Sequence, residues 1–170
     1  MLSIIKSISL NGLNGYLVSA QVDVSSGLPN FEIVGLPDTT VKESKERIKT
    51  AIKNSGFDFL SRKIVVNLSP ANIRKEGSIF DLPIAIGILI ATENIKNENL
   101  KDYLNSTIIL GELSLNGHIE KINGVLPICI EAKKLGIKRI ILPQNRASAK
   151  TLIQIVTLMT FIRRKPVYVI

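Results

Sequence analysis

Ten consecutive residues, 82–91, carry no charge and are apolar on every side of a helix (LPIAIGILIA). A helix needs about 20 such residues to cross a bilayer, so this stretch is too short to be a membrane span. A helix that is apolar all round is stable in water only when protein surrounds it. The stretch therefore predicts a helix at the centre of a core, and the rest of the chain has to supply the elements that enclose it.

Two different residues can begin this central helix. Ser78 can cap it with Asp81 three residues later, or Asp81 itself can be the N-cap with Pro83 in the first turn. The second start is favoured, because Pro83 then avoids a clash with an earlier carbonyl group.

Short segments before this helix, in which apolar and polar residues partly alternate, predict strands. Residues 2–10 and 16–24 are rich in Ile, Val and Leu and are separated by turn residues (NGLNG), which predicts a hairpin. Residues 31–34 and 63–68 predict two further short strands. The second is rich in β-branched residues, which indicates a buried strand.

The helical period appears between the third and fourth of these strands. From Asp38 onward, apolar residues recur at helical spacing until Ser55 and Gly56 end the pattern. Thr40 with Glu43 fits a capping box at the start. This segment predicts a basic amphipathic helix of about four turns.

The rest of the chain predicts a mixture of strands and helices. Asn116-Gly117 is a strong signal for a two-residue hairpin turn. The predicted elements are a surface connection at 95–105, strands at 107–115 and 118–122, a helix at 124–135 and a strand at 139–142. The full order, βββ-α-β-α-ββ-α-β, predicts the α/β fold class, as an α+β two-layer sandwich with helices on one face of a mixed sheet.

Positive charge is concentrated in two parts of the chain, which has a formal net charge of +8. Residues 41–80 hold nine Lys and Arg against four Asp and Glu, and residues 121–170 hold ten against one. Such clusters are typical of proteins that contact phosphates, although an ordinary solvated helix face has a similar composition. Only eight residues are aromatic, so base stacking is not expected to be the main mode of nucleic-acid binding.

Cys129 and His118 are the only residues of their types. A single cysteine cannot form an intramolecular disulfide, and the two residues cannot supply the three or four ligands of a zinc site. The N-terminal segment lacks the uninterrupted apolar stretch of a signal peptide. We therefore expect no metal site, no membrane contact and a location in the reducing cytoplasm.

Three longer stretches together carry a family resemblance. They are GLPDTTVKESKERIKTAIKNSG (35–56), RKIVVNLSPANIRKEGSIFDLPIAIGIL (62–89) and GELSLNGHIEKINGVLPICIEAKKLGIKRIILP (111–143). These stretches resemble the N-terminal, ChlI-type domain of the ComM/YifB proteins, bacterial AAA+ ATPases often labelled magnesium-chelatase-like. That domain is similar in turn to the Lon protease domain and to the C-terminal domain of the RadA recombination protein, so the resemblance implies a Lon-like fold over residues 1–150.

The resemblance also implies an ATPase module that these 170 residues do not include, since no GxxxxGK[ST] motif occurs in them. ATP and magnesium would belong to that module, and this chain is expected to hold no cofactor. The family implies ring hexamers and, in the ComM branch, branch migration of DNA taken up during transformation. Residues 151–170 form an atypical tail, for which a truncated or frame-shifted reading frame and an independent small protein both remain open.

The comparison with Lon raises the question of catalysis, because Lon pairs a serine nucleophile with a lysine base. The alignment places Ile79 and Leu126 at those two positions, and Asp81 where Lon has a glycine. An alkyl side chain can neither attack a carbonyl group nor accept a proton, so the alignment predicts no catalytic residues. A one-residue shift would instead make Ser78 the nucleophile with Lys121 as base, which is the peptidase alternative.

The expected function is that of a non-catalytic domain that supports ring assembly and engages DNA non-specifically through its basic surface. The candidates for phosphate contact are Lys42, Lys45, Lys49, Lys53, Arg74 and Lys75. The alternative is a structural module that only mediates protein–protein contacts, in which the charge keeps the protein in solution.

Overall fold

The computed structural model describes residues 1–143, and in this part of the chain eight strands and four helices form a mixed α/β structure, which confirms the predicted fold class. The elements are β1 (Leu2–Asn11), β2 (Asn14–Ser25), β3 (Asn30–Val34), α1 (Thr39–Asn54), β4 (Lys63–Ser69), α2 (Asp81–Ala91), α3 (Leu100–Asn105), β5 (Thr107–Ile109), β6 (Glu112–Leu113), β7 (Ile119–Glu120), α4 (Val125–Lys134) and β8 (Arg139–Ile141). The predicted domain end at residue 150 and the tail at 151–170 lie outside the described residues.

The main sheet has four strands in the order β1-β2-β4-β3. The predicted hairpin of β1 and β2 is confirmed, β2 pairs antiparallel with β4, and β3 pairs parallel with β4. Register places Ser3, Val22, Val66 and Ile33 in one row across the sheet, and all four side chains are buried. Their neighbours along the strands are more exposed, so the period-two pattern of the sequence marks the core face of the sheet.

Helix α2 occupies the centre predicted for the apolar run, since every residue from Asp81 to Ala91 is buried. A Cβ at Gly87 would come within 2.6 Å of Val22 Cγ2, and Ser3 donates a hydrogen bond of 2.8 Å to the Gly87 carbonyl. The absence of a side chain at Gly87 therefore lets the helix lie directly on β1 and β2. Among the helices of residues 1–143, none combines the length and the apolar character that a membrane span requires.

Both predicted helix starts need correction. Helix α1 is capped by Asp38, whose Oδ1 accepts a hydrogen bond of 2.7 Å from the Val41 amide, so the Thr40 capping box is wrong. Asp38 takes the extended conformation that an N-cap needs, which leaves Thr40 inside the first turn. Helix α2 has Phe80 at its N-cap, so neither Ser78 nor Asp81 caps it. The carboxylate of Asp81 instead accepts a hydrogen bond from Arg47 of α1.

The predicted strand at 107–115 is two strands, β5 and β6, separated at Gly111. The Gly111 amide donates to the Ile79 carbonyl and its own carbonyl accepts from the Leu82 amide, so this residue bonds to the start of α2 instead of continuing a ladder. β5 pairs with β8, and β6 pairs with β7. The Gly117 amide donates to the Ser114 carbonyl, so the turn between β6 and β7 is centred on Leu115 and Asn116, which corrects the predicted two-residue Asn116-Gly117 turn by one position. The prediction of one long strand at 107–115 is wrong because the hydrogen bonds of Gly111 lead to residues that are distant in the sequence.

The predicted surface connection at 95–105 contains the short helix α3. Leu100, Tyr103 and Leu104 of this helix are buried against the core. The guanidinium of Arg139 lies 4.6 Å from the centre of the Tyr103 ring. Helix α4 is confirmed, and its Ile128 packs in a second small cluster at the hairpin end of β1 and β2.

Candidate nucleic-acid interface

A basic groove of about 520 Å³ lies between α1, the start of β3 and the segment that precedes β4. Among the described residues that line it are four cationic side chains and one carboxylate, and these charged residues are Lys45, Glu46, Lys49, Lys53 and Arg62. The excess of positive charge in one concave surface makes the groove suited to an anionic partner.

Helical periodicity brings the three lysines of this basic groove together. Lys45, Lys49 and Lys53 follow one another at intervals of four residues, which places them on one side of α1 and about 6 Å apart along its axis. The apolar residues Ile48 and Ala51 face the core from the other side. Within residues 1–143, no salt bridge involves these lysines or Arg62, so their charges are available to a partner.

Two aromatic rings also line the basic groove. The ring centres of Phe31 and Phe59 lie 6.1 Å apart with an angle of 32° between their planes. Each ring packs on the edge of the hydrophobic core and is half-buried, so part of its surface is open to the groove. The groove therefore combines cationic side chains with an apolar, aromatic surface.

Only some of the residues predicted to contact phosphate meet in the basic groove. Lys42 is exposed on α1 about one turn before Lys45, next to the groove. Arg74 is in the loop between β4 and α2 and forms an exposed ion pair of 3.5 Å with Glu76. Of the six predicted residues, the structure thus gathers Lys45, Lys49 and Lys53 in the groove, and Lys42 and Arg74 do not line it.

Lys75 has a different role from the one predicted. Its side chain is fully buried, and its Nζ donates hydrogen bonds to the carbonyl groups of Pro70 and Ile73. Its backbone bonds to Leu36 and Asp38, which holds the loop before α2 against the start of α1. Burial lowers the pKa of Lys75. An ammonium group held inside this loop cannot contact a phosphate at the surface, so the prediction for Lys75 is wrong.

A buried polar cluster lies on the inner side of α1. The fully buried carboxylate of Asp81 accepts hydrogen bonds from Ser44 Oγ, from Arg47 Nε at 2.8 Å and from the Leu113 amide at 3.3 Å. Burial raises the pKa of Asp81, and the bond to Asp81 raises the pKa of Arg47. We name Ser44, Arg47 and Asp81 the Asp81 cluster, and its bonds join α1 to α2 and to β6.

The sequence indicates neither the aromatic rings of the basic groove nor the Asp81 cluster. Phe31 and Phe59 are 28 positions apart, and Asp81 is 34 positions from Arg47. Arg62 belongs to the basic segment that the composition reveals, but nothing local separates it from the other cations there. An Asp inside an otherwise apolar helix is the one available signal, because a buried carboxylate requires partners.

The positions that correspond to the Lon catalytic residues can also be located. Ile79 is half-buried just before α2, and Leu126 is exposed in the first turn of α4. Ser78 donates a hydrogen bond to the Glu112 carboxylate, and Lys121 is exposed after β7. The peptidase alternative built on Ser78 and Lys121 stays a prediction.

Comparison with known proteins identifies the family. A family model described as subunit ChlI of Mg-chelatase matches residues 20–146. The chain belongs to this family. It is 40% identical over 144 residues to the YifB protein of Escherichia coli, and 40% identical over 148 residues to the competence protein ComM of Haemophilus influenzae. The resemblance to the ComM/YifB proteins is therefore confirmed.

The ChlI-family chain is much shorter than these relatives. The two matches cover 85% and 87% of this chain but only 28% of each relative. Lon protease 2 of Bacillus subtilis is 26% identical over 163 residues, and this match again covers 28% of the relative. The chain therefore corresponds to one portion of the ComM/YifB proteins and is similar to a portion of a Lon protease.

Proposed function

We propose that this chain is a non-catalytic domain of a ComM/YifB-type AAA+ ATPase that acts in the cytoplasm and engages DNA non-specifically. The observation that carries the proposal is the basic groove, in which Lys45, Lys49, Lys53 and Arg62 converge. Phosphate contacts supply most of the non-specific affinity of proteins for DNA. The similarity to a relative named as a competence protein supports a role in handling DNA during uptake and recombination.

Lysine side chains favour contact without sequence selection. Each carries a compact charge on a flexible stem, which suits a phosphate oxygen and does not impose the planar geometry with which arginine reads guanine. If about four phosphates are neutralised, the logarithm of the duplex binding constant should fall with the logarithm of salt concentration at a slope of about −3.6. Binding that does not depend on salt would contradict the proposal.

The direct test compares two variants that change the net charge equally. One replaces Lys42, Lys45, Lys49 and Lys53 of α1 with Glu. The control replaces four exposed lysines outside the basic groove, and these are Lys121, Lys133, Lys134 and Lys138. In a fluorescence anisotropy titration with duplex DNA, we expect the first variant to lose binding and the control to lose much less. Equal losses would mean that net charge, and not the groove, determines the affinity.

A second observation supports ring assembly, the other role expected of this domain, and would equally support the protein–protein alternative. Leu13 in the β1–β2 turn and Leu126 and Ile130 of α4 are exposed around a shallow groove of about 230 Å³. Contiguous exposed apolar surface is typical of protein contacts. We propose that copies of the domain meet at this apolar patch, defined as Leu13, Leu126 and Ile130.

The test of the apolar patch is the molar mass in solution. We expect the change Leu126→Glu to shift an oligomer towards the monomer in light scattering, because it places a charge in the contact. Leu28→Glu is the control, since Leu28 is also highly exposed and is not part of the patch. A mass that is the same for both variants and the unchanged chain would contradict a contact through the patch.

A further inference from the structure

We infer that the basic groove binds a single-stranded polynucleotide in preference to a duplex, with unpaired bases stacked on Phe31 and Phe59. The inference rests on the proposed function of the groove and adds the form of nucleic acid that it takes. It is carried by the two half-buried rings, which line the same groove as the lysines.

The open faces of the two rings suit a ligand that presents a flat apolar face. In a duplex, the faces of the bases are covered by their neighbours, and a protein reaches the phosphates and the base edges. In a single strand the faces are free, and stacking on aromatic side chains is a general mode of recognition that needs no particular sequence. Phe31 and Phe59 are therefore a binding surface for a strand and add little for a duplex.

The arrangement of charge agrees with a strand as the ligand. Lys45, Lys49 and Lys53 form a row along one side of the basic groove, and Arg62 comes from the segment that also carries Phe59. A row of cations beside aromatic rings follows a sugar–phosphate backbone while its bases turn towards the rings. Glu46 also lines the groove and opposes any anion, which favours contacts at the lysines and Arg62 over a closely held phosphate beside it.

The size of the basic groove leads to the same conclusion. Its volume of about 520 Å³ is within the range of about 300 to 1,000 Å³ that is usual for small-molecule sites. Such a space admits one or two bases with their sugars. A double helix keeps its bases stacked in its interior and would meet only the rim of this site.

The experiment measures the affinities of the chain for a single strand and for a duplex of the same length. The double variant Phe31→Leu and Phe59→Leu keeps apolar side chains of similar volume and removes the aromatic faces. We expect it to bind the single strand about 10-fold more weakly, with less than about a 2-fold change for the duplex, because stacking contributes only to the strand. Phe57→Leu is the control, since Phe57 packs on the core and does not line the groove.

The outcomes separate this inference from the proposed function. Salt-dependent binding of both ligands, with equal affinity and no effect of the double variant, would overturn the strand preference and leave the DNA proposal in place. Salt-independent binding, or no binding of either ligand, would reject the DNA proposal itself. A glutamate polymer that displaces the single strand at equal charge concentration would also overturn the inference, because a peptide carboxylate offers nothing to the rings.

A second measurement does not depend on whether the double variant folds. In NMR spectra of the unchanged chain, we expect the ring resonances of Phe31 and Phe59 to shift when a purine-containing single strand is added, while those of Phe57 stay in place. The duplex should leave all three unchanged. Shifts of equal size with the duplex, or no shift with the strand, would overturn the stacking contact.

Discussion

The inner and outer sides of α1 both carry polar and charged residues, yet the surroundings of these residues differ. Ser44 and Arg47 point inward and bind the buried carboxylate of Asp81. Lys45 and Lys49 line the basic groove and form no salt bridge with any residue of 1–143. Neighbouring positions in one helix therefore lie in different surroundings, and a charge on the inner side has a buried partner whereas the lysines on the outer side line an open groove.

The two sides of α1 should also respond differently to solution conditions. Interactions in a dry interior are strong and are little affected by ions, whereas exposed charges are screened within about 10 Å at 0.1 M salt. The Asp81 cluster is expected to hold α1 against α2 at any moderate ionic strength. The basic groove is expected to lose its attraction for DNA as salt rises.

The largest expected effect is on stability. Asp81→Ala removes the buried carboxylate that Arg47, Ser44 and the Leu113 amide share as a hydrogen-bond acceptor, which should lower the free energy of unfolding by about 3 kcal/mol. Urea unfolding measures the change. Lys45→Ala is the control on the outer side of α1 and should change stability by less than about 0.5 kcal/mol. Equal losses of stability in the two variants would contradict a stabilising role of the Asp81 cluster on the inner side of α1.

The next largest effect is that of salt on the unchanged chain, in which DNA binding reports on the outer side of α1 and stability reports on the inner side. Raising salt from about 50 to about 200 mM should weaken duplex binding about 100-fold, if about four phosphates are contacted. The free energy of unfolding should change by less than about 0.5 kcal/mol over the same range, because the Asp81 cluster is shielded from ions. Titrations and urea curves at the two salt concentrations check this. A large loss of stability with little loss of binding would reverse the proposed roles.

A smaller effect is expected for Ser44→Ala. The hydroxyl of Ser44 donates to the Asp81 carboxylate, and a hydrogen bond to a charged group contributes about 1.5 kcal/mol. Asp81 keeps its bonds to Arg47 and to the Leu113 amide, so the loss should be about half of that for Asp81→Ala. DNA affinity, measured alongside stability, should not change. A loss of affinity without a loss of stability would place Ser44 in the binding surface.

The smallest effect concerns the pH dependence of stability. Burial raises the folded-state pKa of Asp81 above its unfolded value, which is about 3.9 for an aspartate. The folded state therefore holds this proton more tightly, and the resulting stability is complete below the unfolded pKa and is lost as pH rises through the folded one. The unfolding free energy of the unchanged chain relative to Asp81→Asn should fall over this window. A difference that rises with pH would contradict the direction of the shift.

The sequence predicted those parts of the fold that depend on local periodicity. The apolar run predicted α2, and alternation predicted the β1–β2 hairpin, because each pattern is decided by residues close together in the chain. Helix α3 was missed because three buried residues in six positions are too few to show a helical period. The break at Gly111 was missed because its hydrogen bonds lead to the start of α2.

In the candidate site, too, the features that depend on one element are predictable from the sequence, and those that depend on distant residues are not. Helical spacing was enough to place the lysines of α1 on one surface, because that depends on one element only. The assignment of Lys75 is wrong because lysines in loops are usually exposed. In this loop, the carbonyl groups of Pro70 and Ile73 accept hydrogen bonds from its buried ammonium group. The proximity of Phe31 and Phe59 depends on the arrangement of the sheet and the loop before β4, so composition alone argued against stacking.

The salt dependence of single-strand binding in two charge-matched variants tests the role of the basic groove most directly. Four contacts predict a slope of about −2.8 for the unchanged chain, and Lys45→Gln, Lys49→Gln and Lys53→Gln together should reduce it to about −0.7. The control with Lys121, Lys133 and Lys134 changed to Gln should keep the original slope. A slope that stays at its original value in the groove variant, or that falls equally in the control, would contradict binding through the groove.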